Sequence, residues 1–82
     1  YITDLMYVKA EDHYLNLFLS NGKDHLVRGK IKDIKKQLPP NFIQCHRSYI
    51  VNANFIKQAN RDNLIMISGD SVPLSRTYKD NF

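Results

Sequence analysis

The stretch from Tyr14 to Arg28 constrains this chain more than any other. Tyr14 to Leu19 alternates strictly, with Leu15, Leu17 and Leu19 on one face and Tyr14, Asn16 and Phe18 on the other. That is the period of a half-buried strand. Ser20-Asn21-Gly22-Lys23 follows, and Asp24 to Arg28 returns as the partner strand. An Asn-Gly pair between two apolar runs accepts the positive φ angles of a tight hairpin turn at little cost. A chain committed to such a hairpin must bury at least one sheet face, so a helical bundle is excluded.

The remaining pattern is mostly of the same period. Ile2 to Ala10 reads as a strand. A short helix follows the hairpin, because Ile31, Ile34 and Leu38 form one apolar stripe at i, i+3 and i+7. Gly29 serves as a weak N-cap, Asp33 lies in the first turn, and Lys35 and Lys36 lie near the C-terminal end, where the macrodipole favours cations. Pro39-Pro40 ends it. Phe42 to Val51 is β-prone at both ends, but neither of its faces is cleanly apolar, so the strand breaks or bends near Cys45 to Ser48. Asn52-Ala53-Asn54 reads as a turn, with Asn52 as a turn or cap residue. Phe55 to Ala59 and Leu64 to Ile67 read as strands around the polar turn Asn60-Arg61-Asp62-Asn63. Val72-Pro73-Leu74 has to be an edge strand or strand end, since Pro73 lacks a ladder donor. The expectation is one mainly-β domain with one or two short helices.

Cysteine usage, charge and hydropathy narrow the class of function. A single cysteine excludes an internal disulfide, and apolar runs of four or five residues fall far short of the ~20 that span a bilayer. A cytoplasmic protein with no membrane partner is the expectation. Residues 21–61 carry Lys23, Arg28, Lys30, Lys32, Lys35, Lys36, Arg47, Lys57 and Arg61 against Asp24 and Asp33, a net of +7 within an overall +4. A basic middle between mildly acidic ends suits a polyanionic partner. The helix lysines fit a solvated face better than a contact.

The chemistry-bearing groups sit beside strand-forming residues, in Cys45-His46-Arg47-Ser48-Tyr49-Ile50-Val51-Asn52 and in Leu74-Ser75-Arg76-Thr77-Tyr78-Lys79. An arginine so placed presents a rigid fork of donors that fits guanine edges and phosphates. Blander readings stand beside this one. Arg47 could pair with Asp12 or Asp62, Arg76 could be the basic end of an edge strand, and His46 could be a partly buried, hydrogen-bonded ring. Catalysis is not expected: Cys45 and His46 are adjacent in a strand and point apart, and no carboxylate pair or Gly-rich loop accompanies them. His13, His25, Cys45 and His46 lack metal-ligand spacing, so no metal and no cofactor is expected.

Tyr7-Val8-Lys9-Ala10-Glu11-Asp12-His13-Tyr14, Leu26-Val27-Arg28, Phe42, His46-Arg47-Ser48-Tyr49-Ile50-Val51-Asn52 and Pro73-Leu74-Ser75-Arg76 together resemble the LytTR DNA-binding domain, the output domain of many bacterial response regulators. The resemblance spans residues 1–82 as one domain. It implies three small antiparallel β-sheets packed along one axis, and DNA read by loops that enter successive major grooves. Matched by position, the base readers are His13, Arg47 and Arg76. Tyr14, His46, Ser48, Ser75 and Lys79 are candidates for backbone phosphates. It further implies a homodimer on promoter direct repeats, with bending of the double-stranded DNA, and an upstream receiver domain whose phosphorylation promotes pairing.

The chain departs from the family pattern twice. A strand that usually precedes Tyr1 is missing, which leaves a sheet edge exposed near Ile2. Lys30 replaces a capping hydroxyl, a change worth up to ~1 kcal/mol at the helix start. The rival function is a protein-interaction module using that edge, Pro73 or the basic face. RNA binding lacks the paired aromatics it needs, because Tyr14 and Phe18 are required by the core.

Overall fold

The computed structural model describes residues 4–82. Its elements are β1 (Leu5–Glu11), β2 (Tyr14–Leu19), β3 (Asp24–Arg28), α1 (Ile31–Gln37), β4 (Phe42–His46), β5 (Tyr49–Asn52), a 3-10 turn (Ala53–Phe55), β6 (Ile56–Ala59), β7 (Asn63–Met66), β8 (Ser71–Pro73) and a C-terminal 3-10 helix (Arg76–Asn81).

The Asn-Gly hairpin forms as the alternation predicts. β2 and β3 pair antiparallel from Phe18↔Asp24 to Tyr14↔Arg28, and Gly22 takes a φ of +87°, which favours glycine. Leu15 and Leu17 face the helix side, where α1 lays Ile31, Ile34 and Leu38 over Leu5, Val8, Phe42 and Ile50. The expected stripe is therefore the inward-facing one, partly buried against the sheet. The helix begins one residue later than expected. Lys30, not Gly29, is the N-cap, and it makes no side-chain capping bond. Gly29 instead allows a close crossing. A Cβ there would meet Leu15 Cδ1 at 3.2 Å, so the chain passes tightly over the hairpin.

The described strands make two hydrogen-bonded sheets instead of the expected three, one in the order β3-β2-β1-β5-β4 and one in the order β6-β7-β8. The reason lies in β1. It pairs along its length with β2 and, over Tyr7 to Lys9, also with β5. One strand so shared fuses the β2–β3 and β4–β5 hairpins into a single five-stranded sheet. The second sheet covers the face opposite α1, where Met6, Tyr7, Cys45 and Val51 meet Leu64, Met66, Val72 and Leu74. Each aliphatic side chain fully buried in these layers contributes about 1.5–3 kcal/mol. Tyr7 and Phe18 stack at 4.4 Å within the same layer.

Smaller expectations divide. Asn52 is 2 % exposed. Its Oδ1 accepts from the Asn54 backbone N–H at 3.0 Å and from Asn41 Nδ2 at 2.9 Å, while its Nδ2 donates to the Leu5 carbonyl at 3.0 Å. Val72 and Pro73 do form an edge strand. Ile67, by contrast, lies beyond β7 and is exposed, and Tyr14 is 45 % exposed instead of buried in the core. Tyr14 opens β2 at the sheet's end, past the reach of either covering layer. The first strand is described from Leu5 onward, so the expected edge near Ile2 lies outside the described residues.

Candidate nucleic-acid interface

Antiparallel registers decide which turns share an end of the molecule. β1 ends where β2 begins, with Glu11 opposite Tyr14. Tyr14 is opposite Arg28, and Lys9 is opposite Tyr49 at the start of β5. The β1–β2 turn, the β4–β5 turn and the exit of β3 therefore collect at one end of the large sheet. One backbone bond brings the small sheet to the same place: Ser75 N–H donates to the Cys45 carbonyl at 2.8 Å. Within the small sheet, Leu74 N–H donates to the Asp62 carbonyl at 2.9 Å and sets the β6–β7 turn beside it.

His13 sits in the tight turn between Glu11 and Tyr14, exposed to solvent. Asp12 takes φ +53° there, a left-handed conformation that Asp tolerates better than most residues. Gly29 N–H donates to the His13 carbonyl at 2.9 Å, which holds the turn from the β3 side.

Arg47 occupies the corresponding turn between β4 and β5, also exposed. The ladder shifts register between Gln44 and His46, so the strand bends where its alternation fails. His46 braces this turn. Its Nδ1 accepts the Ser48 backbone N–H at 3.1 Å, and its ring packs edge-on to Tyr49 at 5.6 Å. An accepting Nδ1 in a neutral imidazole leaves the proton on Nε2, which remains able to donate. Ser48 returns its carbonyl to the Ala10 N–H at 2.8 Å, tying the turn to β1.

Arg76 begins the C-terminal 3-10 helix and is exposed. The side chain of the preceding Ser75 makes no capping bond. Lys79, one turn on, reaches Asp62 Oδ1 only at 3.9 Å, and Asp62 is largely in solvent. Such a pair is worth little. Among the described residues neither Arg47 nor Arg76 forms an ion pair, so Arg47 is not the partner of Asp12 or Asp62.

The fold thus brings His13, Tyr14, His46, Arg47, Ser48, Ser75, Arg76 and Lys79 to one end. It also brings cations that the sequence pattern did not single out. Arg28 and Lys30 share a shallow cleft with His13, and Arg61 is exposed in the β6–β7 turn beside Asp62. Arg28 was within reach of the sequence: counting back from the Asn-Gly turn sets it opposite Tyr14. Of the acids at this end, Glu11 is engaged by Lys9 at 2.9 Å, and that bond raises the lysine's pKa.

Cys45 takes no part in surface chemistry. It is fully buried, and burial pushes its thiol up to about 12. A thiol so held offers no thiolate near neutral pH.

The family model described as the LytTr DNA-binding domain matches residues 1–82. The chain is 43 % identical over 89 aligned positions to an uncharacterized response regulatory protein of Vibrio cholerae, covering 99 % of this chain and 34 % of that protein. It is 36 % identical over 81 positions to the sensory transduction protein LytT of Bacillus subtilis, covering 92 % of this chain and 33 % of that one. The chain spans about a third of the length of these curated relatives. A solved LytTr DNA-binding domain of a putative methyl-accepting/DNA response regulator from Bacillus cereus superposes with a TM-score of 0.87 at 30 % identity, over 99 % of this chain and 79 % of that one.

Proposed function

The chain belongs to the LytTr DNA-binding domain family, and on that premise we propose that it is the DNA-reading output domain of a bacterial transcriptional regulator. The observation that carries this reading is the placement of Arg47 and Arg76. Both are exposed, unpaired among the described residues, and presented by braced turns at one end of the molecule. Each guanidinium is free to form the two parallel bonds that guanine O6 and N7 accept in the major groove. His13 donates to a base acceptor from the neighbouring turn.

Around these readers Tyr14, His46, Ser48, Ser75 and Lys79, joined by Arg28, Lys30 and Arg61, hold phosphates and fix register. His46 Nε2 and the Ser75 hydroxyl, which is not spent on a cap, are donors suited to phosphate oxygens. Phosphate neutralisation supplies attraction to any duplex, while base contacts discriminate by about 1–3 kcal/mol each. A module this small buries limited surface, so useful affinity needs two copies, set head to tail on direct repeats of bent DNA. The shared length with the relatives leaves room in a parent protein for an upstream receiver domain, whose phosphorylation would raise the local concentration of paired output domains in the cytoplasm. The protein-interaction reading is weaker: Pro73 blunts the β8 edge of the small sheet, and the edge near Ile2 lies outside the described residues.

Selection from random duplex DNA at physiological salt tests the proposal. A repeated short motif in the bound pool is the expected result and gives the half-site spacing. A folded sample that enriches nothing overturns it.

A further inference from the structure

Among the described residues, the large sheet has one edge covered and one bare. The β4 edge is screened by the C-terminal 3-10 helix, whose Asn81 Nδ2 donates to the Gln44 carbonyl at 3.1 Å. At the other edge all five residues of β3 are exposed. Leu26 is 61 % exposed and Val27 40 %.

The backbone of that edge has a definite phase. Leu19 N–H donates to the Lys23 carbonyl at 2.8 Å, and Gly29 N–H donates to the His13 carbonyl at 2.9 Å. In an antiparallel pair, hydrogen-bonded positions alternate along the strand. The β2–β3 register therefore directs the backbone groups of His25 and Val27 toward β2. Those of Asp24, Leu26 and Arg28 point outward, away from the sheet.

We infer that β3 is a self-complementary docking edge, on which a second copy of this chain pairs its own β3 antiparallel about a two-fold axis at Leu26. In that register Leu26 opposes Leu26 of the other copy, and the outward N–H and carbonyl groups of one strand meet those of its mate. Asp24 then stands across from Arg28 of the other copy, and Arg28 across from Asp24. Registers shifted by two residues also match the outward groups, but each breaks both Asp24–Arg28 pairs. Each also sets one of these charges, Asp24 or Arg28 according to the direction of the shift, opposite Leu26. Charge complementarity selects the centred pairing, and the two exposed leucines cover each other.

The pairing has a geometric consequence. A two-fold axis normal to the sheet reverses strand direction, so the loop ends of the two copies point opposite ways. Such a dimer cannot set both loop ends on adjacent repeats of one straight duplex, and it occupies Arg28. Edge pairing is thus an off-DNA form that competes with tandem binding. The pairing itself rests on the sheet edge and not on the DNA reading, so a failed selection leaves its test intact.

Sedimentation of the 82-residue chain from about 10 μM to about 1 mM, the range of weak transient interfaces, is the experiment. The chain is expected to dimerise reversibly. D24R and R28D, each confirmed folded by circular dichroism, should raise the dissociation constant about tenfold, and the double swap D24R/R28D should return it to within about threefold of the parent. Amide exchange on the unmodified chain gives a second readout that no folding defect can confuse: the Leu26 amide should exchange more slowly at high concentration. A chain that stays monomeric throughout overturns the proposal. So does a swap no better than the single variants, or a Leu26 amide indifferent to concentration.

Discussion

The backbone N–H of Ser75 donates to the carbonyl of Cys45 at 2.8 Å, and this one bond sets the segment bearing Arg76 against the strand that leads into Arg47. Ser75 has φ −75°, an angle that proline also adopts. Ser75→Pro should therefore remove the donor with little backbone strain. A stability loss of about 1–2 kcal/mol in urea titration is expected, together with weakened binding to the selected site. Unchanged site affinity would mean that the two arginines need no fixed relation.

Arg47→Ala and Arg76→Ala should each weaken binding to the selected site by about 5- to 150-fold while leaving random duplex nearly unaffected. Equal losses on both DNAs, measured by fluorescence anisotropy, would assign these arginines to phosphates alone.

Arg28→Ala should act in the opposite manner. Its place in the cleft with His13 and Lys30 suits a phosphate. Affinity should fall by a similar factor on every duplex, and the slope of log affinity against log salt should shrink by about 1. A loss confined to one sequence would make it a base reader.

Asn52→Leu should be among the most destabilising single changes. It keeps the number and branching of side-chain heavy atoms but strips partners from the Leu5 carbonyl, the Asn54 N–H and Asn41 Nδ2. A group left unpaired in a buried setting costs about 1–3 kcal/mol. That applies in full to the Leu5 carbonyl and only in part to the other two, so roughly 2–4 kcal/mol in total is expected from urea midpoints. A loss under about 1 kcal/mol would show that water replaces the amide.

Alkaline pH should destabilise the fold. Burial holds the Cys45 thiol protonated, up from 9.0 to about 12. Burial and then the facing Asp70 raise the Tyr7 phenol as well, whose hydroxyl donates to Asp70 Oδ2 at 3.2 Å. Above 9.0 the unfolded thiol ionises while the folded one does not, so the unfolded chain binds fewer protons and stability falls. The contribution is complete below that pH and is lost progressively toward about 12. Urea midpoints should decline over this window, and alkylation of Cys45 at pH 8 should require unfolding.

Much of the local structure could be read directly because it rests on short-range chemistry. The Asn21-Gly22 turn and the alternation around it define the β2–β3 register, and Ile31, Ile34 and Leu38 mark the buried side of α1. The failed alternation near Cys45 marks the register shift before Arg47. Lys30 as a bare N-cap was less legible, because the close approach of Gly29 to Leu15, a tertiary contact, decides where the helix can start. Tyr14 shows the same limit: its alternation assigns a face, but exposure depends on how far the covering layers extend.

Strand periods, turn residues and the positions of His13 and Arg47 between strand segments were written in the residues themselves, whereas the 3-10 helix that Arg76 opens was not. They follow from φ/ψ preferences and side-chain periodicity, which act over a few residues. That β1 pairs on both sides, and so merges two hairpins into one sheet, emerges only when the whole chain folds. The same holds for the docking of the small sheet through Ser75, which brings the Arg76 segment to the end where the other turns gather. Pairings between distant strands are chosen by which arrangement buries both faces of β1 at once. That quantity belongs to the whole chain, and no segment carries it alone.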